Sequence, residues 1–333
     1  EVIAVMSPED ENDAAMKELL AQAGFPLFFP QDVLEAAAEL PVVLDEAEIA
    51  KRRDCRDLKT FTIDPIDAKD FDDALSIRKL PSGLYEIGVH IADVSYYVLP
   101  DTDLDAEAYK RATSVYLPDR VNPMLPEKIS NELCSLRPNE DKFTFSAIFQ
   151  INDEAQVKQY WLGRTVIHSD RRFAYEEVQE IIDTKVGDHA EDILVLHSLA
   201  QKFRQARFKK GAINFSSQEV RFTLDENAKP IGITVKESKP AHQLIEEFML
   251  LANKTVAENI SKIQINKQPL PFPYRIHDQP DPEKLAPFVQ YAKKYGHGFD
   301  ASSPEKISAS FNQLLEDAKG KPEQHVLEQL GIR

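Results

Sequence analysis

A dense run of aspartates constrains this chain more strongly than any other part of its sequence. Five aspartates fall within the ten positions from Asp64 to Asp73, and a single lysine lies among them. Apolar residues flank the run, and residues 58–64 alternate in the pattern of a half-buried strand. Pro65 ends that strand because proline has no backbone N–H to donate to a sheet. The chain is then expected to turn and to enter a second strand over residues 74–77.

Carboxylates this close together repel one another, so the run needs either bound protons or a bound cation. Two unit charges 4 Å apart interact by roughly 4 kcal/mol at an effective dielectric constant of about 20. Oxygen ligands suit Mg²⁺ or Mn²⁺, whereas zinc prefers histidine and cysteine. A solvated acidic surface loop is the common alternative. A calcium-binding EF-hand loop is excluded because, counting from Asp70, the sixth residue is Leu75 instead of glycine and the twelfth is Pro81 instead of glutamate.

Further motifs follow the aspartate run along the chain. The run itself reads Asp64-Pro-Ile-Asp67-Ala-Lys-Asp70-Phe-Asp72-Asp73-Ala-Leu. The segments that follow it cover residues 90–98, 114–138, 211–215, 244–253 and 274–278. In this order, the motifs resemble the ribonuclease II/ribonuclease R family of exoribonucleases over roughly residues 57–285. Long motifs in a fixed order are far more specific than one short pattern.

The resemblance implies a metal site and a reaction. Asp64, Asp70, Asp72 and Asp73 match the four metal-site aspartates of the family, and Asp67 occupies a variable position between them. We assign Asp64, Asp70 and Asp73 chiefly as ligands of Mg²⁺, with Mn²⁺ as the other suitable ion. Asp72 is assigned as the residue most critical to the chemical step, either as a ligand or by orienting water. The implied reaction is processive hydrolysis that releases nucleoside 5′-monophosphates from the 3′ end of single-stranded RNA, without cleavage of DNA.

The resemblance also places RNA-binding side chains. Tyr116, Tyr175 and Phe215 stand at positions similar to the family's base-stacking clamp. Stacking contributes about 1–3 kcal/mol per base and tolerates any sequence. Packing in a core is the alternative for each of them. From the residues alone, packing is favoured for Phe215, which is placed in an apolar strand, and the two interpretations are balanced for Tyr116.

Acidic and basic side chains complete the implied RNA site. Glu246 and Glu247 lie on a mostly apolar predicted helix, where the family uses an acid near the terminal ribose. A contact to the 2′-hydroxyl would explain selection of RNA over DNA, and a helix-surface salt bridge is an equal alternative. Arg275 and His277 lie inside a matching motif and are expected to contact phosphates. Asn214 departs from the family pattern, in which this position usually carries an acid.

The pattern of elements predicts an α+β fold, with a curved mixed sheet and helices packed over it. Residues 58–333 are expected to form the catalytic domain. By resemblance, residues 1–57 are the end of an oligonucleotide-binding barrel, with a strand over residues 1–6, followed by a helical linker. The resemblance also implies that the chain stops before a C-terminal part with a catalytic arginine, so weak or no activity is expected of this fragment. The other predicted strands are 84–91, 144–151, 156–169, 218–224 and 231–236, and the predicted helices are 13–23, 31–40, 45–56, 175–182, 191–208, 241–260, 283–295 and 304–318.

Composition excludes several classes of protein. The formal net charge is −16, which argues against a protein that coats duplexes but allows a narrow, locally basic channel for one strand. No apolar run reaches membrane length, and the first residues show neither the basic flank nor the apolar segment of a secretory signal. Cys55 and Cys134 lie 79 positions apart and provide neither a disulfide framework nor a zinc motif. These observations predict a cytoplasmic protein with no membrane partner.

Two other functions fit parts of the sequence. A non-catalytic RNA-binding relative would be favoured by loss of a metal-site aspartate, yet all four are present. A metal-dependent phosphohydrolase of small phosphate esters would explain the aspartates but not the aromatic residues of the clamp.

Overall fold

The computed structural model describes residues 11–215, 219–226, 228–236, 238–276 and 280–332 of the 333-residue chain. The predicted strand over residues 1–6 lies outside the described residues. The chain divides into two compact units. The first contains the chain up to Leu194 together with Val220–Val235 and Lys239–His242, and the second contains Val195–Glu219, Lys236–Ser238 and Gln243–Arg333.

The first unit is built on a mixed sheet of seven strands. The described strands are β1 (Arg53–Asp54), β2 (Lys59–Asp64), β3 (Asp73–Lys79), β4 (Tyr85–Ala92), β5 (Val115–Tyr116), β6 (Val121–Asn122), β7 (Glu140–Ile151), β8 (Val157–Ser169), β9 (Arg171–Ala174), β10 (Glu219–Leu224), β11 (Pro230–Lys236), β12 (Gln264–Ile265) and β13 (Gln268–Pro269). The sheet has the spatial order β1-β8-β7-β4-β3-β2-β9, and β5–β6, β10–β11 and β12–β13 form separate two-stranded pairs. In the large sheet, β1 and β9 pair in parallel with their neighbours and the other pairs are antiparallel.

Helices cover the sheet in the first unit and dominate the second. They are α1 (Glu11–Gln22), α2 (Gln31–Glu39), α3 (Glu46–Ile49), α4 (Val94–Tyr97), α5 (Asp103–Arg111), α6 (Tyr175–Thr184), α7 (Ala190–Lys209), α8 (Pro240–Ile260), α9 (Pro282–Lys294), α10 (Pro304–Ala318) and α11 (Gln324–Ile332), with a π-helical segment at Lys128–Leu133. The predicted α+β class, with a mixed sheet and packed helices, is confirmed. Within the described part of the chain, no helix is long and apolar enough to cross a membrane.

The predicted helix over residues 45–56 is wrong beyond its first turn. Helix α3 is four residues long, and β1 then pairs in parallel with β8. The Cys55 N–H continues this pairing by donating to the Val166 carbonyl at 2.8 Å. The buried guanidinium of Arg52 forms a salt bridge with Asp93, with 2.8 Å between Nη1 and Oδ2. Contacts with residues distant in sequence therefore override the helical preference of a charged segment.

One large apolar core lies between the sheet and the helices of the first unit. Its helical contributions come from α2, α4, α5 and the π-helical segment. Cys134 and Leu136, which follow the π-helical segment, are also buried in it. The stretch from 128 to 136 is therefore anchored in this core.

A separate core forms within the second unit. Helix α10 begins at Pro304, with Ser303 as its N-cap, and buries one apolar face. The buried members of this core are Phe288, Ala292, Phe311, Leu314, Leu315, Ala318 and Leu327, contributed by α9, α10 and α11.

Candidate active site

The candidate site is built at one edge of the large sheet. Strand β2 ends at Asp64, and the antiparallel β3 begins at Asp73, so both residues lie at this edge. Strand β9 runs parallel to β2 and pairs Ala174 with Asp64. Because parallel strands end at the same edge, Tyr175, which follows Ala174, is brought to the acidic segment. The loop over residues 65–72 carries Asp70 and Asp72.

The aspartates of this edge act on one another electrostatically. Burial raises the pKa of Asp64 to about 6, and the charges of Asp72 and Asp70 raise it further, against the opposing effects of the Thr62 side chain and the charge of Arg172. Burial, together with the charges of Asp64 and Asp72, raises the pKa of Asp73 to about 7. Desolvation and the charge of Asp70 raise the pKa of Asp72 to about 6, although the residue as a whole is exposed. The structure thus brings the four predicted aspartates into one electrostatically coupled group.

The donor chemistry of this group suits a hard divalent cation. All the donors are carboxylate oxygens, and the buried Asp64 Oδ2 has no hydrogen-bond partner among the described residues. Repulsion between the carboxylates is a second feature that a cation would relieve. Within the described residues, however, no three histidine, cysteine, aspartate or glutamate side chains are gathered into a preformed metal-binding group. The residues fit Mg²⁺ by chemistry, and their side chains would have to close around it.

Tyr116 connects the predicted clamp to the aspartates. Tyr116 is the last residue of β5 and is 65% exposed. Its hydroxyl donates to Asp70 Oδ2 at 2.9 Å. Burial of the hydroxyl and this hydrogen bond raise the pKa of Tyr116 to about 12. Core packing, the alternative interpretation of this residue, is wrong because most of its surface is open to solvent. The ring is available for stacking while the hydroxyl is held by a candidate metal ligand.

Tyr175 lies beside the same acidic edge at the start of α6. Its ring stacks on the His242 ring with centroids 4.1 Å apart and an angle of 16° between the planes. Burial and the charges of Asp73 and Asp64 raise the pKa of Tyr175 to about 12. His242 is oriented by the Lys239 N–H, which donates to its Nδ1 at 3.2 Å. One face of the Tyr175 ring is therefore already occupied by a side chain.

Arg172 and Ser135 hold the loop that carries the aspartates. The Arg172 Nη2 donates to the Pro65 carbonyl at 2.5 Å, and its guanidinium lies 5.5 Å from the centre of the Phe71 ring. Ser135 contacts the backbone of the loop through its hydroxyl. The sequence interpretation did not single out Ser135. Its position inside the matching segment 114–138 was the signal that was available.

Glu246 and Glu247 form a charged cluster within the second unit. Glu247 is 3% exposed and accepts from Arg207 Nη2 at 2.5 Å and from Nε at 3.2 Å. The more exposed Glu246 lies 2.9 Å from Arg207 and 3.4 Å from Arg204. Both glutamates therefore form salt bridges, which were the alternative to a contact with ribose. The salt bridge of Glu247 is buried, and those of Glu246 lie on the surface. The predicted contact to ribose stays a prediction for both residues.

Phe215 is not in a strand, contrary to the prediction. It lies in an irregular segment of the second unit, where Asn312 Nδ2 donates to the Ala212 carbonyl and Asn312 Oδ1 accepts from the Asn214 N–H. These side-chain bonds replace the ladder of a sheet. Phe215 is half-buried against Phe311, with ring centroids 5.5 Å apart. Its role in a clamp remains a prediction.

Arg275 and His277 are the last two residues predicted to contact RNA. Arg275 is exposed in an irregular segment of the second unit. His277 lies outside the described residues.

Comparisons with known proteins give a consistent result. A family model described as "RNB domain" matches residues 52–333. Ribonuclease R 1 of Lactococcus lactis is 36% identical over 341 residues, which cover 100% of this chain and 41% of that protein. The "inactive exonuclease DIS3L2" of Arabidopsis thaliana is 38% identical over 87% of this chain and 29% of that protein.

Among solved structures, ribonuclease R of Mycoplasma genitalium in complex with ribose-methylated single-stranded RNA is similar to this chain. Its TM-score is 0.85 at 28% sequence identity, and the match covers 95% of this chain and 49% of that one. The chain therefore spans less than half the length of each of these three proteins.

Proposed function

Because the chain belongs to the RNB-domain family, we propose that it is part of a Mg²⁺-dependent 3′→5′ exoribonuclease that releases nucleoside 5′-monophosphates from single-stranded RNA. The family predicted from the motifs is confirmed by the match over residues 52–333. The observation that carries the proposal is the coupling of Asp64, Asp70, Asp72 and Asp73 at one edge of the sheet. The single-stranded RNA in the similar ribonuclease R structure supports the choice of substrate.

The four aspartates have distinct proposed tasks. Asp64, Asp70 and Asp73 hold Mg²⁺, or Mn²⁺ in its place. The bound ion would lower the pKa of a water molecule and neutralise charge on the phosphate. Asp72, the most exposed of the four, orients the attacking water or shares in holding the ion. The carboxylates must lose their protons for this, which ties the site to pH.

The remaining predicted residues are proposed to bind RNA. Tyr116, Tyr175 and Phe215 stack on bases, and Glu246 or Glu247 accepts from the 2′-hydroxyl of the terminal ribose. Arg275 and His277 contact phosphates. None of these contacts depends on the identity of the base, so digestion of any single-stranded sequence is expected.

Removal of the Tyr116 ring tests the stacking part of the proposal. Tyr116→Ala is expected to weaken binding of a single-stranded RNA oligomer by about 5- to 150-fold, because one stacked base contributes about 1–3 kcal/mol. Tyr116→Phe keeps the ring and loses only the hydrogen bond to Asp70, so its affinity should stay near the wild-type value. Fluorescence anisotropy in EDTA measures binding without hydrolysis. Equal affinities of the wild type and Tyr116→Ala would show that this ring does not stack on RNA.

The free cysteines bear on the cellular setting, and the first residues on the domain organisation. We place the chain in a reducing cytoplasm, because Cys55 and Cys134 are both buried free thiols. Burial raises the pKa of Cys55 to about 11 and that of Cys134 to about 12, so neither is a reactive thiolate. Residues 1–57 are proposed to be the end of an oligonucleotide-binding barrel followed by a helical linker, and residues 58–333 to belong to the catalytic domain.

A non-catalytic RNA-binding function is the second candidate. It is favoured by one observation, the inactive Arabidopsis relative at 38% identity. The four aspartates of this chain oppose it, because a protein without hydrolysis has no need of four mutually repelling carboxylates.

Substrate choice and products separate the proposed function from its rivals. The chain is incubated with Mg²⁺ and single-stranded RNA, the matching DNA, or nitrophenyl phosphate, and products are identified by chromatography. The proposal predicts nucleoside 5′-monophosphates from RNA and no product from DNA or from the small ester. Hydrolysis of the ester at a rate above that of RNA would favour a small-ester phosphohydrolase. Binding of RNA without any product would favour the non-catalytic function.

A further inference from the structure

We propose that Ser135 is a positioning residue that fixes the backbone on both sides of Asp70 and thereby sets the affinity of the site for its cation. This inference rests on the proposed metal-dependent function. Ser135 does not touch the reacting atoms in this account. It acts on Asp70 and Asp72 through the loop that carries them.

The Ser135 hydroxyl bridges two peptide groups of the loop. Its Oγ donates to the Lys69 carbonyl at 2.8 Å and accepts from the Phe71 N–H at 3.1 Å. The Leu136 N–H adds a third bond, to the Phe71 carbonyl at 2.8 Å. These contacts hold the residues immediately before and after Asp70. The Phe71 carbonyl also belongs to the peptide group that leads into Asp72.

The residues that make these contacts are buried in the core. Ser135 is fully buried, and its neighbours Cys134 and Leu136 are 3% and 0% exposed in the core of the first unit. Phe71 is itself 8% exposed and belongs to the same core. Arg172 holds the start of the loop through the Pro65 carbonyl, and Ser135 holds the loop against the buried core at the position of Asp70.

The aspartate loop has little regular structure of its own. Residues 65–72 belong to neither a helix nor a strand, and the Ala68 N–H to Pro65 carbonyl bond at 3.1 Å closes one turn within them. Carboxylates on such a loop bind a cation well only if their directions are set by neighbouring groups. Groups that orient the ligands typically change metal affinity or activity by about 10- to 100-fold when removed.

The test compares two buried serines. Ser135→Ala removes the bridge. The control Ser169→Ala removes a hydroxyl from another fully buried serine, and that hydroxyl has no hydrogen-bond partner among the described residues. Both variants and the wild type are titrated with Mn²⁺ in a calorimeter in the absence of RNA. We expect the dissociation constant of Ser135→Ala to rise by about 10- to 100-fold, with Ser169→Ala close to wild type. At saturating metal, the KM of Ser135→Ala for RNA should not change.

A graded variant protects the test against loss of fold. Ser135→Cys keeps the size of the side chain and provides a weaker donor and acceptor, so an intermediate dissociation constant is expected. Equal Mn²⁺ affinities of the wild type and either folded Ser135 variant would overturn the positioning role. An equal loss of Mn²⁺ affinity in Ser169→Ala and Ser135→Ala would also overturn it, because the loss would then reflect general destabilisation of the fold. Failure of the wild type itself to bind Mn²⁺ would instead overturn the proposed metal-dependent function, and the Ser135 proposal with it.

Discussion

Replacing Asp72 with asparagine is expected to lower the rate of RNA hydrolysis by more than about 100-fold, beyond the loss typical for groups that only orient a metal ligand. The substitution keeps the size of the side chain and removes the charge that would face the cation or the attacking water. Because Asp72 is exposed as a residue, the fold should tolerate the change. The rate is measured with enzyme in excess over labelled single-stranded RNA.

Asp67→Asn is the matched control for this prediction. Asp67 lies in the same loop, is exposed, and occupies the variable position of the motif. The identical chemical change there should leave the rate near the wild-type value. Rates near the wild-type value for both variants would contradict the role of Asp72. Equal losses of rate in both variants would show that net charge matters instead of a specific site.

Mg²⁺ is expected to stabilise the chain much more at pH 8 than at pH 5.5. The pKa values of Asp64 and Asp72 are raised to about 6 and that of Asp73 to about 7, so at pH 5.5 the ion must displace protons. At pH 8 the carboxylates are charged and repel one another until a cation binds. With Mg²⁺ at about 100 times its dissociation constant, the gain at pH 8 is about 2.7 kcal/mol. Thermal unfolding with and without Mg²⁺ at the two pH values measures the difference.

The metal-free chain should show the opposite trend with pH. A carboxyl with a raised pKa in the folded state binds its proton more tightly there than in the unfolded chain. Its contribution to stability is therefore present below the unfolded value of 3.8 and is lost as pH rises through about 6 for Asp64 and about 7 for Asp73. Asp73→Asn removes one of these groups and should flatten the trend. Equal stabilisation by Mg²⁺ at pH 5.5 and pH 8 would contradict the proposed coupling.

Most of the sheet could be predicted because its strands have local signals. Alternation over residues 58–64 and the break at Pro65 located β2, and the predicted strands 144–151 and 156–169 correspond to β7 and β8. Strand β9 was missed because its four residues carry no period of their own and are held by parallel pairing with β2. The same kind of distant pairing turned the end of the predicted helix over residues 45–56 into β1.

The site was predictable to the extent that its chemistry lies in one short segment. The aspartate run and its resemblance identified the acidic edge, which the structure brings together. The bond between the Tyr116 hydroxyl and Asp70 joins residues 46 positions apart, and that between Ser135 and Lys69 joins residues 66 positions apart. Patterns in a short stretch of sequence do not predict contacts between residues so far apart in the chain. Phe215 was misplaced for the same reason, since Asn312 supplies the bonds that a strand would have made.

A time course on 5′-labelled single-stranded RNA tests the central claim most directly. The chain is used in excess over RNA, with Mg²⁺ or with EDTA, beside a DNA oligomer of the same sequence. We expect a ladder of labelled RNA that shortens from the 3′ end with Mg²⁺, and no shortening with EDTA or with DNA. Shortening of the RNA in EDTA, shortening of the DNA, or immediate release of a labelled mononucleotide from the 5′ end would contradict the proposed function.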